Sequence, residues 1–358
     1  MEITSQQLKE KLQKKEDFLL LDVRSPEEFS TWKIDGAVNI PMQELQHGIG
    51  GLPKDREIIA ICAHGIRSGM AADFLRESGF RASSVSGGMA AWNSVYDIVP
   101  LAEKDFRLYQ MKRIGKGCAG YFLVSNGSAA VIDPTTHTGE YLKIAEKLGC
   151  RITAIIDTHQ HADHISGARL LRDATKADFL LNPLDGYGFP GFREMEDNST
   201  VNIGDVYIEV LHTPGHTKGS TCLSIEGKFL LTGDILFTEG IARPDLKDKS
   251  EEYAAQLYGT YQDRILNLPD GIVVSPAHYK AALNLGEPVA RTLEWIRKNN
   301  RALELSKHEF IKYVTSHIPW KPFNYERIIA VNKGALDMTE DEIAELEFGA
   351  NRCVLATS

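Results

Sequence analysis

Residues 158–164 read Thr-His-Gln-His-Ala-Asp-His and directly follow the apolar run Ile-Thr-Ala-Ile-Ile-Asp at 152–157. Such a run followed by polar residues predicts a strand that leaves its sheet at a turn. Four residues of this turn are of the kind that binds metals: His159, His161, Asp163 and His164. Histidine and carboxylate ligands suit zinc and iron, and their clustering would be poorly compensated without a cation. The turn therefore predicts a metal centre at the end of a strand.

Three more candidate ligands each follow an apolar run later in the chain. They are His216 in Thr-Pro-Gly-His-Thr, Asp234 in Thr-Gly-Asp and His278 in Pro-Ala-His. Each of these residues would be weak support for a metal site by itself. Because every one of them ends a strand candidate, we predict a site that is built from strand ends and loops.

The pattern of the chain changes near Pro100. Before this point short apolar runs alternate with helix-like stretches, which is typical of a small parallel α/β domain. We therefore predict an α/β domain at 1–100, a metal domain at 106–300 and a C-terminal extension at 301–358 that packs on the metal domain. Helical periodicity predicts a long helix at 287–304 and a shorter one near 340–347.

Composition excludes several classes of protein. The 358 residues are 43% hydrophobic and 25% charged, which is typical of a globular chain with two domains. The net charge of -9 disfavours binding to nucleic acid. No stretch approaches the about 18 apolar residues that a membrane span needs. The five cysteines are widely spaced and odd in number, and the N-terminal segment lacks the pattern of a secretory signal, so we expect a cytoplasmic protein.

A second chemical signal lies at residues 62–68, which read Cys-Ala-His-Gly-Ile-Arg-Ser between an apolar strand and a helix. The backbone N–H groups of such a loop favour negative charge, so Cys62 is predicted to be a thiolate that carries sulfane sulfur. Gly65 belongs to this anion cradle, and Arg67 is a candidate contact for an anionic substrate. The remaining cysteines are interpreted as small hydrophobic residues: Cys118, Cys150, Cys222 and Cys353.

The metal motifs, in this order, resemble the metallo-β-lactamase superfamily over roughly residues 106–298. The resemblance implies an αββα sandwich with the metal at one edge of two sheets. Within the superfamily the chain resembles the persulfide dioxygenases, the ethylmalonic-encephalopathy-protein group. That resemblance implies one Fe(II) held by His159, His216 and Asp234. The remaining candidates then form a second metal site or surround the first one: His161, Asp163, His164 and His278. A centre with two zinc ions, as in the related hydrolases, is the alternative.

The chain departs from the family in its candidate substrate pocket. Residues 240–245 read Gly-Ile-Ala-Arg-Pro-Asp where the family usually has Gly-Cys-Gly-Arg-Thr-Asp, and Tyr279 stands where an aspartate often follows the last histidine. Arg243 is retained as a candidate contact for substrate or anion. A surface arginine or a structural salt bridge is an equally good interpretation of this residue.

The N-terminal region resembles the rhodanese family over nearly all of residues 1–100. The resemblance rests on Leu-Leu-Asp-Val-Arg-Ser-Pro-Glu-Glu-Phe, on Gly-Ala-Val-Asn-Ile-Pro at 36–41 and on the loop of Cys62. Four residues separate Cys62 from Arg67, as in sulfurtransferases, whereas phosphatases of the related fold have five. One departure is Trp32-Lys33, where many rhodaneses have Gly-His, and we expect it to alter local packing more than chemistry.

Together the two resemblances imply an enzyme of sulfur metabolism. We expect iron-dependent oxidation of a persulfide of glutathione or a similar thiol to sulfite, and transfer of sulfane sulfur from thiosulfate or a persulfide through Cys62. One alternative is a dinuclear zinc hydrolase of thiolesters, like glyoxalase II, that carries a rhodanese domain. A second alternative is a sulfur carrier or sensor without turnover. The C-terminal tail is of a kind that docks on a neighbour or a second subunit, so the sequence also allows a homo-oligomer.

Overall fold

The N-terminal unit is built on a five-stranded parallel sheet. The computed structural model describes residues 1–244, 250–279, 285–316 and 324–350 and the backbone of 354–356. The strands of this sheet are β1 (Glu2–Ile3), β2 (Phe18–Asp22), β3 (Val38–Asn39), β4 (Glu57–Ile61) and β5 (Ala82–Val85). They lie in the order β1-β5-β4-β2-β3. The helices of the unit are α1 (Ser5–Gln13), α2 (Pro26–Thr31), α3 (Leu45–Gly48), α4 (Ile66–Glu77) and α5 (Gly88–Trp92).

Both faces of this first sheet are buried. Along β2, Leu21 belongs to one apolar cluster and Leu20 to the cluster on the opposite face. In β4, Ile58 and Ile59 are divided in the same way. A parallel sheet covered on both sides needs strands that are apolar throughout, which explains the continuous runs in the sequence.

The second sheet has seven strands and begins inside the segment where the pattern of the sequence changes. Its strands are β6 (Tyr96–Ala102), β7 (Arg107–Arg113), β8 (Cys118–Ser125), β9 (Ser128–Ile132), β10 (Arg151–Ile156), β11 (Asp178–Leu181) and β12 (Arg193–Glu194). They lie side by side in chain order, with β6 at one edge. β6 pairs with β7, so Pro100 lies in an edge strand of the second unit.

A six-stranded sheet packs against the second sheet. Its strands are β13 (Thr200–Ile203), β14 (Val206–His212), β15 (Thr221–Ile225), β16 (Phe229–Leu231), β19 (Val273–Ser275) and β20 (Arg291–Thr292). A short sheet contains β17 (Leu236–Phe237), β18 (Gly240–Ala242) and β21 (Val354–Ala356). Alternation in β8 divides the packing, since Leu123 lies in the core between the two large sheets and Phe122 lies on the outer face.

Helices cover the outer face of each large sheet. They are α6 (Thr138–Leu148) and α7 (Ala168–Thr175) on the second sheet, and α8 (Ser250–Thr260), α9 (Leu293–Asn299) and α10 (Lys307–Ser316) on the third. This is the predicted αββα sandwich. The predicted long helix at 287–304 was wrong, because this segment contains β20, α9 and a 3-10 turn at Arg301–Glu304. Pairing of β20 with β19 overrides the helical periodicity there.

The C-terminal segment adds α11 (Tyr325–Asn332) and α12 (Glu340–Leu346), and α12 confirms the helix that was predicted near 340–347. Within the described ranges, none of the helices combines the length and the apolar character that crossing a bilayer requires.

The two units are in direct contact through Trp32, the residue that departs from the rhodanese pattern. Its indole Nε1–H donates to the carbonyl oxygen of Gly115 at 2.9 Å. Gly115 has no room for a side chain, because a Cβ atom there would lie 2.6 Å from the carbonyl oxygen of Trp92. Ile114 also joins the apolar cluster that contains Trp92. The expected change in local packing is therefore a contact between the two units.

Candidate metal centre and reactive cysteine

The turn that carries four of the candidate ligands is held by Asp133, which follows the neighbouring strand β9. The Asp133 Oδ1 atom accepts a hydrogen bond from the Thr158 N–H group at 2.7 Å and lies 3.1 Å from His161 Nε2. Because β9 and β10 are adjacent and parallel, their carboxyl ends meet at one edge of the sheet. The turn at 158–164 is therefore held at the end of β10, as the sequence predicted.

Three of the predicted ligands converge on one point. The Nε2 atoms of His159 and His216 each lie 3.7 Å from Asp234 Oδ2. One ligand atom from each residue lies within 4.8 Å of the other two, and all three side chains are buried. Among the described residues, Asp234 Oδ2 has no hydrogen-bond partner. A buried carboxylate oxygen without a donor, facing two imidazole nitrogens, fits a divalent metal ion.

Neighbouring oxygen atoms orient the two histidines of this group. His159 Nδ1 lies 2.9 Å from Thr158 Oγ1, and His216 Nδ1 lies 3.1 Å from the carbonyl oxygen of Arg243. Contacts of this kind fix the orientation of an imidazole ring and leave its other nitrogen for a metal. In both residues Nε2 is left facing Asp234.

Burial and neighbouring charges shift the pKa values of two of these candidate ligands, His159 and Asp234. Burial, followed by the nearby His161 and His216, holds the pKa of His159 well below its usual range. Burial acts to raise the pKa of Asp234, but the neighbouring His278 and His216 outweigh it, so that this pKa is lowered. A neutral imidazole and an ionised carboxylate are the forms that bind metal.

The remaining predicted ligands are hydrogen-bonded mostly to one another. Asp163 Oδ1 lies 3.0 Å from His164 Nδ1, and Asp163 Oδ2 lies 2.7 Å from His278 Nε2. The second ring nitrogen of His278 contacts Asp234 Oδ1. Two nitrogens of this group, His161 Nδ1 and His164 Nε2, are buried without a partner in the described part of the chain.

Besides Asp133, sequence reasoning missed two further residues close to the candidate ligands. Cys118, interpreted as a small hydrophobic residue, has its sulfur within 4.8 Å of ligand atoms of Asp163 and His164. It is buried at the start of β8, and burial raises its pKa to about 11. Nothing in the sequence around Cys118 separates it from the other buried cysteines.

Asp185 is the second missed residue, and it ties together the two loops that carry the histidine ligands. Its carboxylate accepts hydrogen bonds from Gln160 N–H at 2.9 Å, from Gly219 N–H at 2.7 Å and from Thr217 Oγ1 at 2.9 Å. Gln160 adjoins His159, and Thr217 adjoins His216. The segment around Asp185 reads as an ordinary turn, and no local pattern indicates this role.

In the cysteine loop, hydrogen-bond donors surround the sulfur of Cys62. The Gly65 N–H group donates to Cys62 Sγ at 3.1 Å, and the Ser68 hydroxyl lies 3.4 Å from the same sulfur. Burial acts to raise the pKa of Cys62. Hydrogen bonds from the Ser68 side chain and from the N–H groups of Ser68, His64 and Gly65 outweigh burial and lower that pKa. The loop therefore makes Cys62 easier to deprotonate than an unperturbed cysteine.

Arg67 forms an ion pair beside the loop. Its Nη1 and Nη2 atoms each lie 2.8 Å from a carboxylate oxygen of Glu28 at the start of α2. The Arg67 guanidinium holds the pKa of Glu28 at about 2. A contact between Arg67 and an anionic substrate stays a prediction, and it would have to compete with Glu28.

The remaining residues singled out in the sequence differ in burial. Arg243 is buried, and its backbone orients His216, while a contact of its side chain with substrate stays a prediction. Cys222 is buried as expected, and Cys150 is partly exposed. Asp245 and Cys353 lie outside the described residues.

Comparison with known families agrees with both parts of the fold. Residues 114–278 match the metallo-beta-lactamase superfamily, and residues 4–95 match the rhodanese-like domain. The chain belongs to the metallo-β-lactamase superfamily, whose members bind metal, and it carries a rhodanese-like domain before its metal domain.

Individual relatives of the chain within the superfamily include persulfide dioxygenases and hydrolases. Persulfide dioxygenase ETHE1 of Bos taurus is 30% identical over 203 residues, which is 55% of this chain and 76% of the relative. A hydroxyacylglutathione hydrolase of Anaeromyxobacter dehalogenans (strain 2CP-C) is 32% identical over 183 residues, which is 51% of this chain and 69% of the relative. The crystal structure of ETHE1 from Myxococcus xanthus has a TM-score of 0.57 and 27% identity, and the match covers 64% of this chain and 99% of that one. The chain is a superfamily enzyme with relatives in sulfur metabolism.

Proposed function

We propose that the chain oxidises a low-molecular-weight persulfide, such as glutathione persulfide, at a mononuclear Fe(II) centre. The overall reaction is RSSH + O₂ + H₂O → RSH + SO₃²⁻ + 2H⁺, in which the outer sulfur loses four electrons and dioxygen gains them. The persulfide dioxygenases among the relatives support this assignment.

The observation that carries the proposal is the difference between the two groups of candidate ligands. The Nε2 atoms of His159 and His216 each lie 3.7 Å from Asp234 Oδ2, which has no hydrogen-bond partner within the described ranges. In contrast, both oxygens of Asp163 and both ring nitrogens of His278 are engaged by protein groups. One metal ion therefore fits the first group without breaking contacts, whereas a second ion would have to replace existing hydrogen bonds.

His159, His216 and Asp234 would hold the iron, since two histidines and one carboxylate suit Fe(II). Bound Fe(II) supplies the chemistry that brings dioxygen and the persulfide together. His278 bridges Asp234 and Asp163, so it orients the Asp234 carboxylate toward the histidines. All three side chains are buried, which limits the contact of bulk water with the proposed centre.

At the second site, we propose that Cys62 transfers sulfane sulfur. Its thiolate attacks thiosulfate, the S–S bond breaks, and sulfite leaves with the electron pair while Cys62 becomes a persulfide. The N–H groups of His64, Gly65 and Ser68 stabilise the charge on this sulfur. A thiol or sulfite then accepts the sulfane sulfur and restores the thiolate. A reducing compartment such as the cytoplasm suits this chemistry, since the described cysteines are free thiols.

Metal analysis combined with oxygen uptake tests the proposal. We expect about one iron per chain, oxygen consumption with glutathione persulfide, and formation of sulfite. Cys62→Ser should abolish sulfur transfer and leave oxygen uptake unchanged, whereas Cys150→Ser, as a control, should preserve both. Loss of both activities in Cys62→Ser would contradict two independent sites, and stoichiometric uptake of sulfur without turnover would indicate a carrier.

A dinuclear zinc hydrolase of thiolesters is the second candidate. Its support is the pair of buried nitrogens without a partner in the described part, His161 Nδ1 and His164 Nε2. In this case two zinc ions would supply the Lewis acidity that activates water for hydrolysis of a thiolester. Two zinc ions per chain, thiolester turnover and no oxygen consumption would favour this candidate over the dioxygenase.

A further inference from the structure

Glu347, just after α12, connects the C-terminal segment to the metal-binding turn. Its side chain is buried, and its carboxylate accepts a hydrogen bond from the Ile165 N–H group and pairs with Arg113. Ile165 directly follows His164. A buried carboxylate in these contacts holds the end of the turn in one position, because moving the turn would leave a charge without its donors.

Asn332, the last residue of α11, fixes the same turn from a second direction. Its side-chain amide donates to the carbonyl oxygens of His161 at 3.0 Å and His164 at 2.8 Å. Its side-chain oxygen accepts from the Ser166 N–H group at 2.9 Å. The C-terminal segment therefore contacts the turn on both sides of His164.

Phe348, the residue after Glu347, lies against the cysteine loop. Its ring stacks on His64 with 5.6 Å between ring centres, and it meets Trp32 edge-on at 5.0 Å. The N–H group of His64 is one of the donors that lower the pKa of Cys62. The adjacent residues Glu347 and Phe348 thus contact the turn with the candidate metal ligands and the cysteine loop, respectively.

The backbone between these two side chains is also anchored to both units. The Glu347 carbonyl oxygen accepts from Lys116 Nζ at 2.9 Å and from Asn93 Nδ2 at 3.2 Å. Asn93 follows α5 of the N-terminal unit, and Lys116 lies between β7 and β8 of the metal domain. A shift of the segment at this point would therefore disturb contacts with both units.

We propose that residues 325–350 form a shared positioning element, in which Asn332 and Glu347 fix the metal-binding turn and Phe348 fixes the cysteine loop. The element contributes no atom to either reaction and acts through Ile165 and His64. It gives the C-terminal extension a role in both sites. This inference does not depend on which reaction the metal supports.

The cysteine side of the proposal is tested by alkylation of Cys62 with iodoacetamide as a function of pH, resolved by peptide mass spectrometry. Phe348→Ala should raise the midpoint by about half a pKa unit, which leaves about threefold less thiolate well below the midpoint. Phe348→Tyr keeps the ring and should restore the wild-type midpoint. Trp295→Ala is the matched control, because Trp295 is 37% exposed and Phe348 is 38% exposed. An unchanged midpoint in Phe348→Ala would overturn the proposal.

The metal side is tested by competition with a chelator for Zn²⁺, measured without any substrate. Glu347→Gln should weaken metal affinity about tenfold, as expected for a residue that orients ligands, and should leave the Cys62 midpoint unchanged. Asn332→Ala carries the same expectation and serves if Glu347→Gln does not fold, which thermal unfolding would reveal. Wild-type affinity in the folded variant would refute the role of this segment at the metal site. Activity is not used as a readout, so failure of the proposed reaction would leave both tests intact.

Discussion

Replacing Asp185 by asparagine should loosen both loops that carry the histidine ligands. The carboxylate of Asp185 accepts three hydrogen bonds, and an amide can accept only on its oxygen side. In Asp185→Asn, the amide nitrogen would face a backbone N–H group, either that of Gly219 or that of Gln160. Loss of one charge-assisted hydrogen bond in a buried position predicts a decrease of about 1.5–3 kcal/mol in the free energy of unfolding.

The same substitution should weaken metal binding, because Asp185 holds the neighbours of His159 and His216 in place. Outer contacts of this kind are worth about 10- to 100-fold in affinity. Competition with a chelator measures the affinity, and urea unfolding of the metal-free protein measures the stability. Asp178→Asn is a suitable control, since this aspartate is mostly exposed and pairs only loosely with Arg193 at 3.9 Å. Wild-type metal affinity in Asp185→Asn would refute the reasoning.

Three further predictions concern the cysteine loop, the Arg67–Glu28 ion pair and removal of the metal. Ser68→Ala should raise the midpoint pH for alkylation of Cys62, because a hydrogen bond to the sulfur is lost. Glu28→Gln should cost under about 1 kcal/mol, since the Arg67–Glu28 pair is partly exposed. The lowered pKa of Glu28 means that this difference in urea unfolding persists above pH 4.5 and disappears as the pH falls to about 2. Removing a metal present at a free concentration of 100 times its Kd should cost about 2.7 kcal/mol, and equal melting of apo and loaded protein would contradict the site.

Local sequence was sufficient to predict the features that depend on a single turn. The candidate ligands at 158–164 lie within a few residues of one another, and so do the residues of the loop at 62–68. Their residue types and spacing were therefore enough to indicate both candidate sites. The apolar runs before them predicted strands, and the strand ends carry these groups in the structure. The αββα sandwich followed from the resemblance, which rested on the same motifs.

Features that depend on distant packing could not be predicted in this way. Asp185 contacts loops that lie 25 and 34 residues away in the chain, and Glu347 contacts Ile165 across 182 residues. Their immediate neighbours in sequence look like ordinary turns and helix ends. The prediction of one long helix at 287–304 was wrong for a related reason. Arg291 and Thr292 pair with β19, and the spacing of apolar residues along the chain carries no information about such a tertiary contact.

The contact between Trp32 and Gly115 restricts which rhodanese units and metal domains can be combined in one chain. A rhodanese unit with the common Gly-His pair in place of Trp32-Lys33 would leave the Gly115 carbonyl oxygen without its indole donor and would leave Phe348 without the ring it meets edge-on. In the other direction, a metal domain with any larger residue at position 115 would collide with the backbone after Trp92. The contact between the two units therefore limits which domains can be recombined. We expect the residues at positions 32 and 115 to be substituted together.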